Sequence, residues 1–307
     1  MAGGQERVLR RRIRSVQSTR KITKAMELIA ASRIVRAQAR IAANRPYREG
    51  MERILRVTAA ADPTAAAKLL GTPESPQRVG VLAIVGDRGL AGSYNSGVLR
   101  ASERLLAEYG RNGAEVTLWV VGKKGPSYFR YRGVDISRAF LGVADRPEFS
   151  DAREIAATVA APFVAGEIDL IQMVSTRFIS AGTQRVETQQ VLPLPLPTEE
   201  EGSEGGIDDL THTEQLHGYT EFEPEPEKLL VELAPRALEA EIFAALLEGT
   251  AAFFTAQQRA MAAATDNADE LVRTLTRVMN RARQDSITTE IMEIVGGAEA
   301  LRQSKGD

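Results

Sequence analysis

"AALLEGTAAFFTAQQRAMAAA", residues 244–264, lies in a stretch from about 236 to 302 that contains no proline. Leu238, Ile242, Ala245, Gly249, Ala252, Ala256 and Ala263 step by three, four or seven, and Leu271, Leu275, Val278 and Ala282 carry the pattern on. That is the period of a helix burying one face. Small residues dominate its first half, so a partner helix can approach closely. Gly249 weakens the helix slightly, which a close contact would offset. A helix of this span extends roughly 100 Å. "TDNADE", 265–270, is its one poor helical patch and predicts a local bend or a polar contact point. At the far end, Ile287, Ile291, Ile294, Ala298 and Leu301 keep the spacing. Gly296 and Gly297 interrupt it, each costing a helix interior roughly 1 kcal/mol relative to Ala.

A partner is offered by the other terminus. Residues 5–58 are rich in helix formers, with Leu9, Ile13, Val16, Ile22, Met26, Ile29, Ala37 and Ile41 at mostly three and four spacing. Pro46 is the only proline there and predicts a kink or the loss of the last turn. About fifty helical residues reach roughly 75 Å. Patterns this long indicate a coiled coil or a helical array, and no repeat of 20–50 residues supports a solenoid. The economical arrangement is an antiparallel coiled coil of the two terminal helices. The five-residue step from Ala282 to Ile287 makes its supercoil irregular. Ile287 and Ile291 are then expected to pack on the first helix, between Leu9 and Met26. Ile294 to Leu301 should stand beyond it as a single-helix tip.

The middle of the chain has another texture. "RVGVLAIVGD", "AEVTLWVVG", "IDLIQMVSTRF" and "TQRVETQQVLPL" read as strands, with a weaker one near 134–140. Residues 94–109, 123–132 and 151–165 read as helices. Alternation of this kind implies βαβ units, a largely parallel sheet and right-handed crossovers. The expected fold class is α/β, with a Rossmann-like α/β domain inserted between two long terminal helices. The expected divisions are 1–60 (N-terminal coiled-coil helix), 77–195 (α/β domain), 196–230 (acidic mobile loop) and 231–307 (C-terminal coiled-coil helix).

Charge and composition narrow the chemistry. The 307 residues are 43% hydrophobic and 26% charged, as in soluble globular proteins. No apolar run is long enough to span a bilayer, and the basic start lacks the apolar segment of a secretory signal. Cysteine is absent, which removes thiolate and disulfide chemistry and fits a reducing cytoplasm. Residues 1–60 hold 15 Lys/Arg against 4 Asp/Glu, whereas 198–227 hold 11 Asp/Glu and no Lys/Arg. The basic helix admits three readings: a solvated coiled-coil face, a nonspecific phosphate grip, or contact with an acidic protein. Between Lys21 and Arg45 no aromatic is available for base stacking.

Searches for a catalytic or cofactor site return little. Neither G-x-x-x-x-G-K-[ST] nor G-x-G-x-x-G occurs. "GDRGLAG", with Gly86, Gly89 and Gly92, follows the first strand, where open α/β sheets bind ligands. It reads either as an anion site using Arg88 and loop amides or as a glycine-rich turn, and its spacing favours the turn. "GKKG", 122–125, is similarly weak. The only histidines, His212 and His217, lie in the acidic stretch, so no triad or ordered zinc site is expected. No catalytic residue, cofactor or metal is assigned.

Three motifs carry a family resemblance across the whole chain apart from 198–228: "RIRSVQSTRKITKAMELIAASRI", "DRGLAGSYN" at 87–95, and "ATDNADELVRTLTRVMNRARQDSITTEIMEIVGGAEAL". The sequence resembles the γ subunits of F-type ATP synthases. The resemblance implies a central-stalk rotor, without an active site of its own, in a proton-translocating F1Fo complex. Its terminal helices would form a coiled coil inside the ring of three α and three β subunits. Its α/β domain would meet the ε subunit and the c-ring. It implies a peripheral place on the cytoplasmic side of the cell membrane, and no nucleic-acid partner. The matching motifs carry β-subunit contact onto Arg283, Gln284 and Thr288, and onto Lys21, Lys24 and Met26. A bearing tip is carried onto Ile294, Gly296, Gly297 and Leu301. Asp285 departs from the small apolar residue expected of relatives, and the acidic stretch is longer than the family usually has.

Overall fold

The structure is a computed structural model that describes residues 2–71, 73, 75–195 and 222–303, with side chains for 5–66, 71, 73, 75–195 and 222–298. His212 and His217 and most of the acidic stretch lie outside the described residues. The chain divides into two compact units, Ser32–Ala256 and the pair Met1–Ala31 with Gln257–Asp307.

Within Ser32–Ala256 the β-branched runs form five strands: β1 Arg78–Ile84, β2 Glu115–Val121, β3 Arg138–Phe140, β4 Leu170–Phe178 and β5 Gln184–Leu192. Their order is β3-β2-β1-β4-β5. β1 to β4 are parallel, and β5 returns antiparallel along β4 after a tight connection. Alternation along each strand splits the side chains between two cores. Val79, Val81, Ala83, Leu118, Val120 and Val174 face α3 (Tyr94–Arg111) and α4 (Lys124–Tyr131). Leu82, Ile84, Trp119, Val121, Ile171 and Met173 face the other way. That second face meets Ala152, Ile155, Ala156 and Val159 of α5 (Phe149–Val164). It also meets Met51, Leu55 and Ala59 of α1 (Ala2–Ala61), Ala65 and Ala66 of α2 (Pro63–Leu70), and Leu230, Leu238, Ile242 and Leu246 of α6 (Pro226–Gln303).

Local chemistry fixes the joints. α1 stops at Ala61 because Pro63 disfavours helix at the residue before it and supplies a preformed first residue of α2. The Asp62 carboxylate caps α2 by accepting from the Ala65 N–H at 3.0 Å. Gly122 has φ +97, a left-handed conformation that lets β2 turn into α4 close over the Val85 carbonyl. Gly80 leaves room for the Trp119 ring: a Cβ there would lie 2.4 Å from Trp119 Cζ3.

Several expectations change. α2 is an element that sequence periodicity did not reveal, its apolar positions being mostly alanine. Pro46 lies inside α1 without splitting off a turn. α6 begins at Pro226, inside the expected acidic loop 196–230 and ahead of both the apolar pattern near 236 and the expected helix division at 231, and takes in Pro235. The Leu238–Ala252 seam packs on the sheet as well as on α1. Gly249 gives its close approach to Tyr94 Oη and Ile84 Cγ2, at 3.1 and 3.8 Å from a built Cβ, not to the partner helix.

In the second unit α1 and α6 pair antiparallel. The Thr23 and Thr265 hydroxyls lie 2.8 Å apart and are buried, and Arg20 pairs with Asp269 at 2.5 Å. "TDNADE" is therefore a polar contact point in an unbroken helix. The seam runs through Ile13, Thr23 and Ala30 on α1 and Met261, Thr265, Ala268 and Leu275 on α6. Ile22 and Ile29, expected on that seam, are 58% and 53% exposed. Val278 is exposed too. The buried stripe is offset by one residue from the apolar one because small Thr and Ala allow closer backbone approach than Ile.

Two measurements check this account. Gly80→Ala should cost about 1–3 kcal/mol in denaturant unfolding, with a red shift of emission from Trp119, the only tryptophan. The second concerns Glu248, whose carboxyl burial holds above the usual glutamate range. A raised folded value gives stability that is fully present below the unfolded pKa and is lost as pH rises through the folded one. The melting temperature of Glu248→Gln minus that of the native chain should therefore rise between pH 4 and pH 8. A flat difference would contradict it.

Candidate functional site

The crevice outside the carboxyl ends of β1 and β4 is the place where strand order reverses and open α/β sheets hold ligands. Here side chains of the chain fill it. Phe253 of α6 packs edge-to-face on Tyr94 at a centroid distance of 5.5 Å and on Phe254 at 5.4 Å. These rings join Ile34, Ala91 and Ala252 in one buried cluster, with Phe178 against it. A Cβ at Gly86 would lie 3.1 Å from Phe253 Cδ2, so the ring sits directly on the backbone of the turn. Burial pushes the Tyr94 phenol upward, keeping it neutral.

The "DRGLAG" turn is tied by its own groups. Asn95 accepts from the Gly86 N–H at 2.8 Å and donates to the Arg88 carbonyl at 2.9 Å. Asp87 Oδ1 accepts from the Lys123 and Gly142 amides at 3.1 and 2.9 Å, and its Oδ2 from Ala144 at 3.0 Å. The amides that would cradle a phosphate already hold a carboxylate of the chain. Arg88, the expected anion ligand, pairs with Asp145 at 2.6 Å. Leu90 completes the turn at φ 62 with its side chain exposed. Of the two readings, the turn describes this loop. Among the described residues no group of three or more acidic or histidine side chains is placed to hold a metal ion.

The two sets of contact residues lie in the unit formed by 1–31 and 257–307. Lys21 and Lys24 are exposed on α1, and Lys24 donates to both Glu27 oxygens at 3.0 and 3.1 Å. Met26 is half-buried. Arg283, Gln284 and Thr288 are exposed on α6, with Gln284 and Thr288 one turn apart on one side. The Thr23–Thr265 register puts Lys24 opposite about position 264, so the sets lie roughly 28 Å apart along the pair. They are two separate stations.

The same register, carried back to the first residues of α1, reaches about position 286 of α6. Beyond it Ile287, Ile291, Met292, Ile294 and Val295 are all exposed, Ile294 at 72%. The expectation that Ile287 and Ile291 pack on α1 is thus corrected: both isoleucines are exposed. Gly296 and Gly297 have nothing within 4 Å of a built Cβ. Leu301 lies in α6 with its side chain outside those described. Among the described residues no helix is long and apolar enough to cross a membrane. Asp87 and Asn95, the two ends of the DRGLAGSYN motif, tie the turn, and the sequence signal for that role is a carboxylate and an amide beside a glycine turn at a strand end.

A family model described as ATP synthase matches residues 5–301. The chain is 46% identical over 304 residues to a protein named ATP synthase gamma chain from Parafrankia sp. (strain EAN1pec), covering 97% of this chain and 98% of that one. It is 45% identical over 304 residues to the protein of that name from Pseudarthrobacter chlorophenolicus, covering 97% and 99%. Among solved structures, one chain of the Euglena gracilis mitochondrial ATP synthase (OSCP/F1/c-ring, rotational state 3) aligns with a TM-score of 0.67 at 18% identity, over 99% of this chain and 96% of that one. A chain of the Tetrahymena thermophila mitochondrial ATP synthase central stalk and c-ring aligns at 0.58 and 22%, over 79% and 99%. At these identities the structural likeness speaks for the fold.

If the crevice is filled as described, titration of the isolated chain with ADP, ATP or phosphate in a calorimeter gives no saturable heat. Asp87→Ala should destabilise the chain by about 1–3 kcal/mol, because three amides lose their acceptor. Saturable nucleotide binding by the native chain would contradict the filled crevice.

Proposed function

We propose that this chain, which belongs to the ATP synthase γ-chain family, is the central-stalk rotor of a proton-translocating F1Fo ATP synthase. It carries torque between the c-ring and the catalytic α and β subunits, and the ε subunit and c-ring meet its α/β domain. The nucleotide chemistry belongs to the α and β subunits, and this chain contributes no catalytic group. It joins the membrane through the complex, at the cytoplasmic side of the cell membrane, and has no nucleic-acid partner.

The observation that carries this reading is the end of α6. The helix runs on past the start of α1 with an apolar surface of Ile287, Ile291, Met292, Ile294 and Val295 in solvent. Exposed apolar surface of this kind marks a contact with another chain. A ring of α and β subunits closing round the tip would bury it, and Gly296 and Gly297 keep that tip slender. Further along the pair, Lys21, Lys24 and the half-buried Met26 form the second β-contact station, where acidic β side chains would suit the basic helix. Arg283, Gln284 and Thr288 form the first, at the level where α6 loses its partner. The filled crevice supports the assignment of chemistry to other chains, because the fold's usual ligand position is spent on packing α6.

The test is co-expression of the tagged chain with α and β subunits. The native chain should recover both, with ATP hydrolysis that depends on it. Ile291→Asp with Ile294→Asp should lower recovery or hydrolysis by roughly tenfold or more, because carboxylates would enter an apolar sleeve. The helix content of the free chain should stay the same, since both side chains are exposed in it. Replacing Gly296 and Gly297 with Leu should slow turnover by thickening the tip. Native assembly and turnover in both variants would overturn the bearing assignment.

A further inference from the structure

Arg48, Glu248 and the backbone of Phe178 meet inside the unit Ser32–Ala256. Glu248 Oε1 accepts from Arg48 Nη1 at 3.5 Å, and Oε2 accepts from the Phe178 N–H at 3.1 Å. Arg48 Nε also donates to Glu52 Oε1 on its own helix at 3.0 Å and stands 4.0 Å from Glu241 on α6. Arg177 faces Glu248 from β4. One carboxylate on α6 thus holds α1 through one oxygen and the end of β4 through the other.

We propose that this three-way contact is the joint through which torque passes between the sheet and the two helices packed on it, with Arg48 and Glu248 as its positioning residues. The inference rests on the rotor reading. Apolar burial is non-directional and by itself specifies no single register between the elements it joins. Near the joint the α6 surface alternates small side chains, Ala244, Ala245, Ala251 and Ala252, with the buried Leu246, Leu247 and Phe253, which pack on the sheet side but carry no polar link from α6 to α1. A hydrogen bond is directional and weakens steeply as it lengthens or bends, so a displacement of α1, α6 or β4 against the others loosens these contacts. Stability alone is a poor reason for the arrangement. Burial raises the Glu248 carboxyl, so its ionised form is costly, and buried ion pairs can often be replaced by apolar groups with no loss. Directional linkage of three elements is what an apolar trio would not supply.

The test uses the whole complex in vesicles and reads protons moved per ATP hydrolysed. In the double variant Arg48→Leu, Glu248→Leu the melting temperature of the chain should change little, the loss of the acceptor of the Phe178 N–H offsetting the relief of two half-buried charges, while the ratio falls by at least about threefold. Arg48→Lys and Glu248→Gln, which retain the shape and part of the bonding, should give intermediate ratios and decide the matter if the leucine pair fails to assemble. A purely structural role would move melting temperature and ratio together. Native ratios in the double-leucine complex, or in both conservative variants where it does not assemble, overturn the joint and leave the rotor reading standing. A native chain that recovers no α or β subunits, or whose complex moves no protons, overturns the rotor reading itself.

Discussion

Everything in the larger unit depends on how the second face of the sheet is covered. Leu82, Ile84, Trp119, Val121, Ile171 and Met173 form an apolar surface that α5 covers only in part. The rest is closed by Met51, Leu55 and Ala59 from one end of the chain and by Leu230, Leu238, Ile242 and Leu246 from the other. At roughly 25 cal/mol per Å² of apolar surface, leaving that face open would cost more than a domain's usual net stability. The two terminal helices are therefore structural members of the α/β core over part of their length. In the other unit α1 and α6 pack on each other, and the described side chains of Ile287, Ile291, Met292, Ile294 and Val295 are exposed.

The sheet was legible in the sequence because its strands are compact β-branched runs separated by helices of ordinary length. β1, β2 and β4, buried on both faces, read as continuous apolar segments. The helical seams were half legible. α1 carries Ile22, Leu28, Ile29 and Val35 exposed and Thr23, Ala30, Ile34 and Ala37 buried. A helix with apolar residues on more than one side has a period but no unique buried face, and hydropathy picks the larger side chains. The register was written instead in a pair of threonines and an Arg–Asp pair, which an apolar pattern discards. Pro46 misled for a related reason: it costs a helix interior about 3 kcal/mol, and packing on both sides of it in α1 outweighs that locally.

The candidate site divides along the same line. The end of α6 could be read as a contact surface because its isoleucines keep helical spacing, and Ile287, Ile291 and Ile294 are exposed. The closure of the ligand crevice could not, because it joins Gly86, Tyr94, Phe178 and Phe253, far apart in sequence. Nor could the Arg48–Glu248 contact, whose members are 200 positions apart and sit among many similar surface charges. At the switch point of this sheet the usual ligand position is occupied by α6. The loop amides hold Asp87 and the rings hold α6, so the site that would recognise a small molecule has become the seat of a long lever.

That seat has a cost in the order of synthesis. β1 to β5 are complete by Leu192, yet their second face waits for Leu230–Leu246 to close it. Chains emerge at about 5–20 residues per second, so for several seconds the newborn sheet presents Leu82, Ile84 and Met173 to whatever else is in the cell. The acidic stretch, 11 carboxylates with no lysine or arginine between residues 198 and 227, is made during that interval. The length of the chain between the last strand and its covering helix then sets a window of vulnerability during birth, a pressure that acts before any partner subunit is met.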